Sequence, residues 1–444
     1  MPSPHHAQAS CSVRAILSPL LLSAACAVDS PHDRAFVAMQ LEERSGSTLR
    51  PDGETTVLPP STVIADGLTE PEAIAIALWN NPAFAAVLAD LDVSRGELAA
   101  AGMLRNPVLS MLFPLGPKQF EATLSLPLDS LLHRPHRIAA ARIEVERVAA
   151  DLVRSGLDLI RDTQLAFTSA LLAAEVAALA AESAGLAQRR ATLANLRVSA
   201  GDASEAFAMA ATVDAGRARG DASRARHASW RADQQLRALL GLPADVALPA
   251  LVPDEPGSTP PALAALLRIA LASRPDLRAA ELTLEAASER AGLTRAEVWQ
   301  IALLADVNSV TREADQVGPG VALEVPLFDQ RQGSLAKLDA EAHRAMLRIA
   351  ALRDTIEREL DQTWHDEAAA RAELVELRDS LLPASERDKA AAERVFTSGE
   401  ESEEVLLQAQ WRNLEVRRIF AAVRARQRDA RAMLERGIGR RLSP

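Results

Sequence analysis

Two stretches decide the fold: Arg197-Val-Ser-Ala-Gly201-Asp-Ala-Ser204-Glu205 and Arg394-Val-Phe-Thr-Ser-Gly399-Glu-Glu-Ser402-Glu403. Each reads Arg-Val, then Gly, then Ser three residues beyond the Gly, then an acid. Each follows a long run of Ala, Leu, Arg and Glu and precedes a shorter run of the same composition. That is the pattern of a helical hairpin, with glycine supplying the left-handed backbone at the turn and serine capping the outgoing helix. The two glycines stand almost half of the 444-residue chain apart. A repeat of that size organises the whole protein.

Working outward, the same order of elements occurs twice. In the first half a helix opens at Leu68-Thr69-Glu70-Pro71-Glu72, with Thr69 as N-cap and Pro71 in the first turn, and continues past Asn81-Pro82 to about Leu104. Asn106-Pro107 stops it. The period then changes: Phe120, Ala122, Leu124 and Leu126 share one face, and Gln119, Glu121, Thr123 and Ser125 the other. Such alternation predicts a strand at 119–126, paired with a partner at 107–113. From about Pro135 to Ala200 the sequence predicts one helix of about 65 residues, or about 100 Å. A helix of that length needs lateral packing along all of it. A second helix runs from the Gly201 turn to Leu239 and stops at Gly241-Leu-Pro243.

The second half repeats this, with Arg274-Pro275 in the place of Asn81-Pro82 and strands predicted at 299–310 and 320–325. A long helix from about Gly333 to Thr397, broken near Pro383, leads to the Gly399 turn, and a final helix runs to about Gly437. The domain reading is therefore a first repeat at 67–242, a connector at 243–261, a second repeat at 262–437 and a tail at 438–444. Residues 27–66, with Pro51, Gly53, Pro59 and Pro60 and no sustained helical period, read as an extended linker.

Composition fits an elongated helical protein: aromatics are 3%, tyrosine is absent, and the net charge of -11 comes from interspersed Arg and Glu. Basic residues do not segregate, so nothing indicates a nucleic-acid partner. Both cysteines, Cys11 and Cys26, lie in the first 26 residues. There Arg14, a short apolar run and Ser23-Ala24-Ala25-Cys26 read as a signal peptide of residues 1–26, with lipidation of Cys26 on cleavage before it. The chain carries no phosphate loop, no HExxH, no Gly-x-Ser-x-Gly elbow and no cysteine nucleophile beyond Cys26, so it reads as a non-enzyme needing no cofactor. No metal site is assigned either: His133 and His136 read as a polar turn where strand re-enters helix, and His343 and His365 stand alone.

Four short amphipathic strands cannot close a barrel, since small barrels need about eight. An open sheet edge cannot face lipid. Strands entering a membrane must therefore be pooled from several chains, and three chains would supply twelve.

On these features residues 67–437 resemble the bacterial outer membrane efflux proteins, the TolC-like family. The matching segments are the two Gly-x-x-Ser turns, the strand-ending Leu126-Pro127-Leu128-Asp129 and Val325-Pro326-Leu327-Phe328-Asp329, and Gly102-Met-Leu-Arg-Asn-Pro107-Val-Leu-Ser. Together with Leu68-Thr-Glu-Pro-Glu-Ala-Ile, these are most similar to outer-membrane components of heavy-metal efflux systems. The resemblance implies a mainly α fold, with a periplasmic α-barrel of long antiparallel coiled-coil helices and a small trimeric β-barrel. It implies a homotrimer in outer-membrane lipid, a periplasmic adaptor and an inner-membrane pump as partners, and passive conduction of substrate.

Carried onto this chain, the resemblance makes Arg197, Gly201, Ser204, Arg394, Gly399 and Ser402 adaptor-docking tips. Asp202, Glu205, Glu400, Glu401, Glu403 and Glu404 would ring the pore entrance, where acids favour cations; as helix N-terminal acids they also complement the macrodipole. Metal cations are the expected cargo. Drugs, other small molecules or type I secretion substrates fit the same pattern, and a non-pore periplasmic coiled-coil scaffold is the reading of a different class.

Overall fold

The computed structural model describes residues 28–51, 53–54, 58–60, 62, 66–113, 115, 118–243, 248–253, 257–310 and 316–442. The signal segment and Cys26 lie outside the described residues. The elements are α1 (Arg34–Ser45), α2 (Glu70–Asn80), α3 (Pro82–Gly102), β1 (Val108–Leu112), β2 (Lys118–Pro127), α4 (Asp129–Ser199), α5 (Glu205–Leu239), α6 (Leu263–Ser273), α7 (Pro275–Ala296), β3 (Ile301–Val310), β4 (Gln316–Leu323), α8 (Gln332–Glu376), α9 (Leu382–Thr397) and α10 (Glu403–Ile438). A π-helical turn at Leu377–Leu381 joins α8 to α9. The mainly helical fold with one small sheet, in two like halves, is the one read from the sequence. The chain divides into two compact units, one drawing on Asp92–Val145 and Thr283–Arg344, the other on His32–Leu91, Glu146–Leu282 and Ala345–Pro444.

The first unit holds the sheet. Its order is β1-β2-β3-β4, every pair antiparallel. The register puts Leu109, Met111, Ala122, Leu124, Leu126, Leu303, Ala305, Val307, Val317 and Val321 on one face. Their larger members other than Val307 are exposed, Met111 at 55% and Val317 at 72%. The opposite face carries Ser110, Glu121, Thr123, Ser125, Asp306 and Asn308, together with Val108 and Leu112 of the short edge strand β1 and Leu304 of β3. β2 and β3 are each ten residues long, the length that crosses a bilayer at a tilt.

The return strand departs from expectation. It starts at Gln316 rather than at 320, because Pro319 sits in an edge strand, where its missing N–H costs no ladder bond. The histidine turn is also corrected. α4 begins at Asp129, six residues before the expected start, and takes in His133, Pro135 and His136. Arg134 Nε (2.7 Å) and Arg137 (3.1 Å) tie this first segment of α4 to the carbonyls of Gly102 and Met103 at the end of α3, where cations are favoured.

In the second unit the linker reading of 27–66 is corrected by α1. Asp33 caps it by accepting from the Phe36 amide, and Gly46 ends it in the left-handed conformation. Leu41 packs so closely on α4 that a Cβ at Gly156 would come within 2.7 Å of its methyl carbons. Arg44 donates to the Ser273 carbonyl (2.8 Å), and the Arg441 amide donates to that of Arg44 (2.8 Å).

The two proline breaks do parallel work. Asn81 caps α3 through the Phe84 amide, and its Nδ2 donates to the Leu239 carbonyl at the end of α5. Arg274 donates to the Gly437 carbonyl near the end of α10 (2.9 Å). Each break thus satisfies a terminal carbonyl of the outgoing helix of its own repeat, a group that a helix cannot satisfy internally. Arg274 is buried and forks onto Asp276 at 3.0 and 2.6 Å, with Glu359 at 3.1 Å. Burial alone would raise the Asp276 carboxyl; the fork and charge of Arg274, with Arg436 and the Leu277 amide, outweigh it and hold the carboxyl below its ordinary value. Around this point Leu266, Ala270, Leu277, Ile356, Leu360, Leu434 and Ile438 form an apolar core.

Two stability measurements follow from these contacts. R274A strands the half-buried Asp276 carboxylate and a helix-terminal carbonyl, and a loss of about 3 kcal/mol is expected in thermal or denaturant unfolding, with R274K recovering only part because lysine cannot fork. On α10, burial pushes the Asp429 carboxyl up to about 6 from 3.8, and its Oδ1 has no hydrogen-bond partner among the described residues. Between those two pH values the folded carboxyl keeps a proton that the unfolded one has lost, so its contribution to stability falls as pH rises through that window. D429N is therefore expected to stabilise the protein by roughly 1 kcal/mol at pH 8, after allowing for solvent screening, and by nothing measurable at pH 4.

Candidate functional site: the two hairpin tips

Both tips belong to the second unit, and both end their incoming helix by the same device. At the first, Gly201 has φ 84°, the Asp202 amide donates to the Arg197 carbonyl (2.8 Å), and the Gly201 amide donates to that of Val198 (3.0 Å). At the second, Gly399 has φ 78°, the Glu400 amide donates to the Val395 carbonyl (3.1 Å), and the Gly399 amide donates to that of Phe396 (3.0 Å). These are Schellman turns, in which the left-handed residue is free of strain only as glycine. Ser204 then caps α5 by accepting from the Phe207 amide, while Ser402 stands at the N-cap of α10 without a side-chain cap bond.

The turns superimpose on glycine and serine but not on arginine. Arg197 supplies the carbonyl of the longest turn bond; its counterpart in the second tip is Val395, and Arg394 lies one residue earlier. One residue is about 100° of helix, so the two arginines, set four residues before Gly201 and five before Gly399, face differently. Arg197 lies over the Phe207 ring at 5.7 Å, a cation–π contact that spans the turn.

The hairpins are held differently. The first is seamed by alanine, with Ala187, Ala191 and Ala194 of α4 against Ala208, Ala211, Ala215 and Ala218 of α5. Spacing of three and four along each helix gives one narrow stripe, and methyl side chains let the helices approach closely. Near the second tip the core is Ala392, Leu406 and Ala409.

The acids expected at an entrance divide into two sets. Asp202, Glu205, Glu400 and Glu401 are exposed. Glu403 and Glu404 instead bind Arg189 (2.8 Å) and Arg190 (3.0 Å) of α4. That pairing ends a ladder the sequence reading missed. Along the same two helices Arg417 meets Glu182 (3.1 Å), Arg424 meets Glu175, and Arg436 meets Asp158. Glu175, Glu182 and Arg189 are one heptad apart on α4, as are Arg424 and Arg417 on α10, and this spacing was the available signal. The sign reverses along the ladder: α4 is acidic up to Glu182 and basic at Arg189 and Arg190. An open groove of about 840 Å³ lies between α4, α5 and α10, lined by Leu179, Leu186, Ala218, Leu407 and Trp411 among others.

No family model and no curated protein matches the chain. Solved structures do. The outer-membrane channel OprN matches 89% of this chain and 95% of its own at 18% identity and TM-score 0.66. CusC, solved in conformations accompanying transmembrane channel formation, matches 88% of this chain and 99% of its own at 16% identity and TM-score 0.67. The CmeC outer membrane channel of Campylobacter jejuni matches 83% of this chain and 85% of its own at 14% identity and TM-score 0.69. At such identities the likeness is one of fold. The chain has the fold of these outer-membrane channels, and the family resemblance read from its sequence holds at that level.

The ladder yields a direct test. R189E/R190E places acids opposite Glu403 and Glu404 and is expected to weaken the tip by roughly 0.5 kcal/mol per lost pair, read as faster amide exchange in 185–205 and 395–410. Adding E403R/E404R is expected to restore protection.

Proposed function

We propose that the protein is the outer-membrane duct of a tripartite efflux system, working as a homotrimer that conducts substrate passively to the exterior. The observation that carries this is the sheet. It has one exposed apolar face, one polar face and two edge strands, β1 and β4, that find no ladder partner on their outer sides among the described residues. Lipid requires every such edge to be paired. Three copies joined β4 to β1 would remove all the edges and leave apolar side chains outward and polar ones inward.

In this reading the chain is no enzyme; energy comes from an inner-membrane pump through a periplasmic adaptor. Arg197, Gly201, Ser204, Arg394, Gly399 and Ser402 form the adaptor-facing tips, supported by their exposure and rigid turns. Asp202, Glu205, Glu400 and Glu401 supply entrance charge, with Glu403 and Glu404 bound into the ladder. The cargo proposed is metal cations, on the strength of those free acids. Cys26 would carry the lipid anchor.

Single-channel recording of the detergent-purified protein in planar bilayers tests the reading. Stable, cation-preferring conductance is expected, with D202N/E400Q/E401Q lowering the preference roughly twofold at low salt. A helical, well-folded sample that stays monomeric and never conducts would point to a periplasmic scaffold.

A further inference from the structure

One row of residues crosses the whole sheet: Ser110, Thr123, Asp306 and Gly318. Its carboxylate is held at both oxygens. Thr123 Oγ1 donates to Oδ1 at 2.7 Å and Asn308 Nδ2 donates to Oδ2 at 2.5 Å. Both donors are neutral, so they fix the direction of the carboxylate without cancelling its charge. On the β4 side the row ends in glycine, where an added Cβ would meet nothing within 4 Å, so no side chain from Gly318 covers Asp306. The row beside it carries Glu121 next to Asn308. Of the described side chains on this face of the four strands, these two acids are the only charged ones. A strand needs no acid here; serine or threonine would pair equally well, since acids are depleted in strands.

We propose that Asp306 is a selectivity-determining residue: a fixed negative charge on the conduit wall, with no ion-pair partner among the described residues, that makes the strand-built section prefer cations, independently of the acids at the helical tips. This rests on the reading that the polar face of the sheet lines a pore. In a trimer the charge occurs three times around one lumen, and rings of carboxylates favour cations. The role differs from that of the tips, where the acids lie on exposed turns.

The test is the reversal potential of the full chain in planar bilayers under a KCl gradient, comparing wild type, D306N, D306S, D306E and D202N/E400Q/E401Q. D306N and D306S are expected to conduct with a potassium-over-chloride permeability ratio lowered on the order of threefold near 0.1 M salt. The difference should shrink at 1 M, where the Debye length falls from about 10 Å to about 3 Å. D306E should keep the wild-type preference. The triple tip variant, which leaves the strands untouched, should retain a clear cation preference of its own. Neutral variants at 306 that conduct with the wild-type ratio at both salts would overturn the proposal. So would loss of all preference in the tip variant, an outcome readable even if the strand variants do not assemble. A wild-type protein that never conducts would instead sink the duct reading itself.

Discussion

The antiparallel pairing of β2 with β3 is the interaction on which the architecture depends. It is the seam between the two repeats, joining strands far apart in the sequence, and it runs without a break from Phe120↔Ser309 to Pro127↔Ala302. Because β2 and β3 are the central pair, each repeat contributes one inner and one outer strand. The outer strands are thereby left with an unmatched ladder, and a surface of backbone donors and acceptors becomes available to further copies. Had each hairpin paired only with itself, the chain would hold two isolated two-stranded ribbons, which are marginal in water. The duplication thus produces a four-stranded subunit whose apolar face is already in phase across all strands, from Leu109 through Leu124 and Ala305 to Pro319.

The helical unit solves a different problem, that of keeping two hairpins side by side. Within the first hairpin the alanine seam brings backbones close and leaves little room for alternative packing. Between hairpins the contact is charged, and each exposed pair contributes little alone. Arg436 and Asp158, at the far end, join a more buried set in which Glu435 receives Arg431 (3.2 Å) and Gln164 (3.3 Å), and Gln164 also reaches Glu70. Burial pushes the Glu435 carboxyl up, with Arg441 and Arg431 opposing. The helix pair is therefore anchored by a buried polar cluster at one end and by exposed, salt-sensitive pairs at the tips.

Much of this was legible in the residues. The glycine–serine turns, the Thr69 cap, the two proline breaks and the alternation of Phe120 to Leu126 are local signals, and each sits where its own chemistry demands. What the sequence hid was decided by tertiary contacts. α1 has no strong period and lies before a proline- and glycine-rich stretch; it is held by Leu41 against Gly156 and by Arg44 reaching distant carbonyls, none of which is local. Pro135 reads as a helix start but lies inside α4, whose first turns are pinned by arginines to the end of α3. Pro319 lies just before the return strand as read from the sequence and is an edge-strand residue. The two arginines differ by one residue in their distance from the glycine, which the sequence shows, and the Schellman bonds follow the glycine. Of the site, the tip glycines and serines were visible, whereas the pairing of Glu403 and Glu404 depends on helices far apart in sequence.

The reversal of sign along the α4–α10 ladder makes the alignment of the two helices unique. If α4 slid one heptad so that Glu182 faced Arg424, Arg189 would face Arg417, like against like. A slide of the same size in the other sense would carry Glu182 to Gln410 and leave it without a cation. A uniform ladder, acidic on one helix and basic on the other, would tolerate both shifts. Shear between the hairpins by a heptad is therefore disfavoured by every pair of the ladder, while parting them at the tips breaks only the two outermost pairs. A splaying or a twist about the buried anchor thus costs the ladder fewer pairs than a slide does.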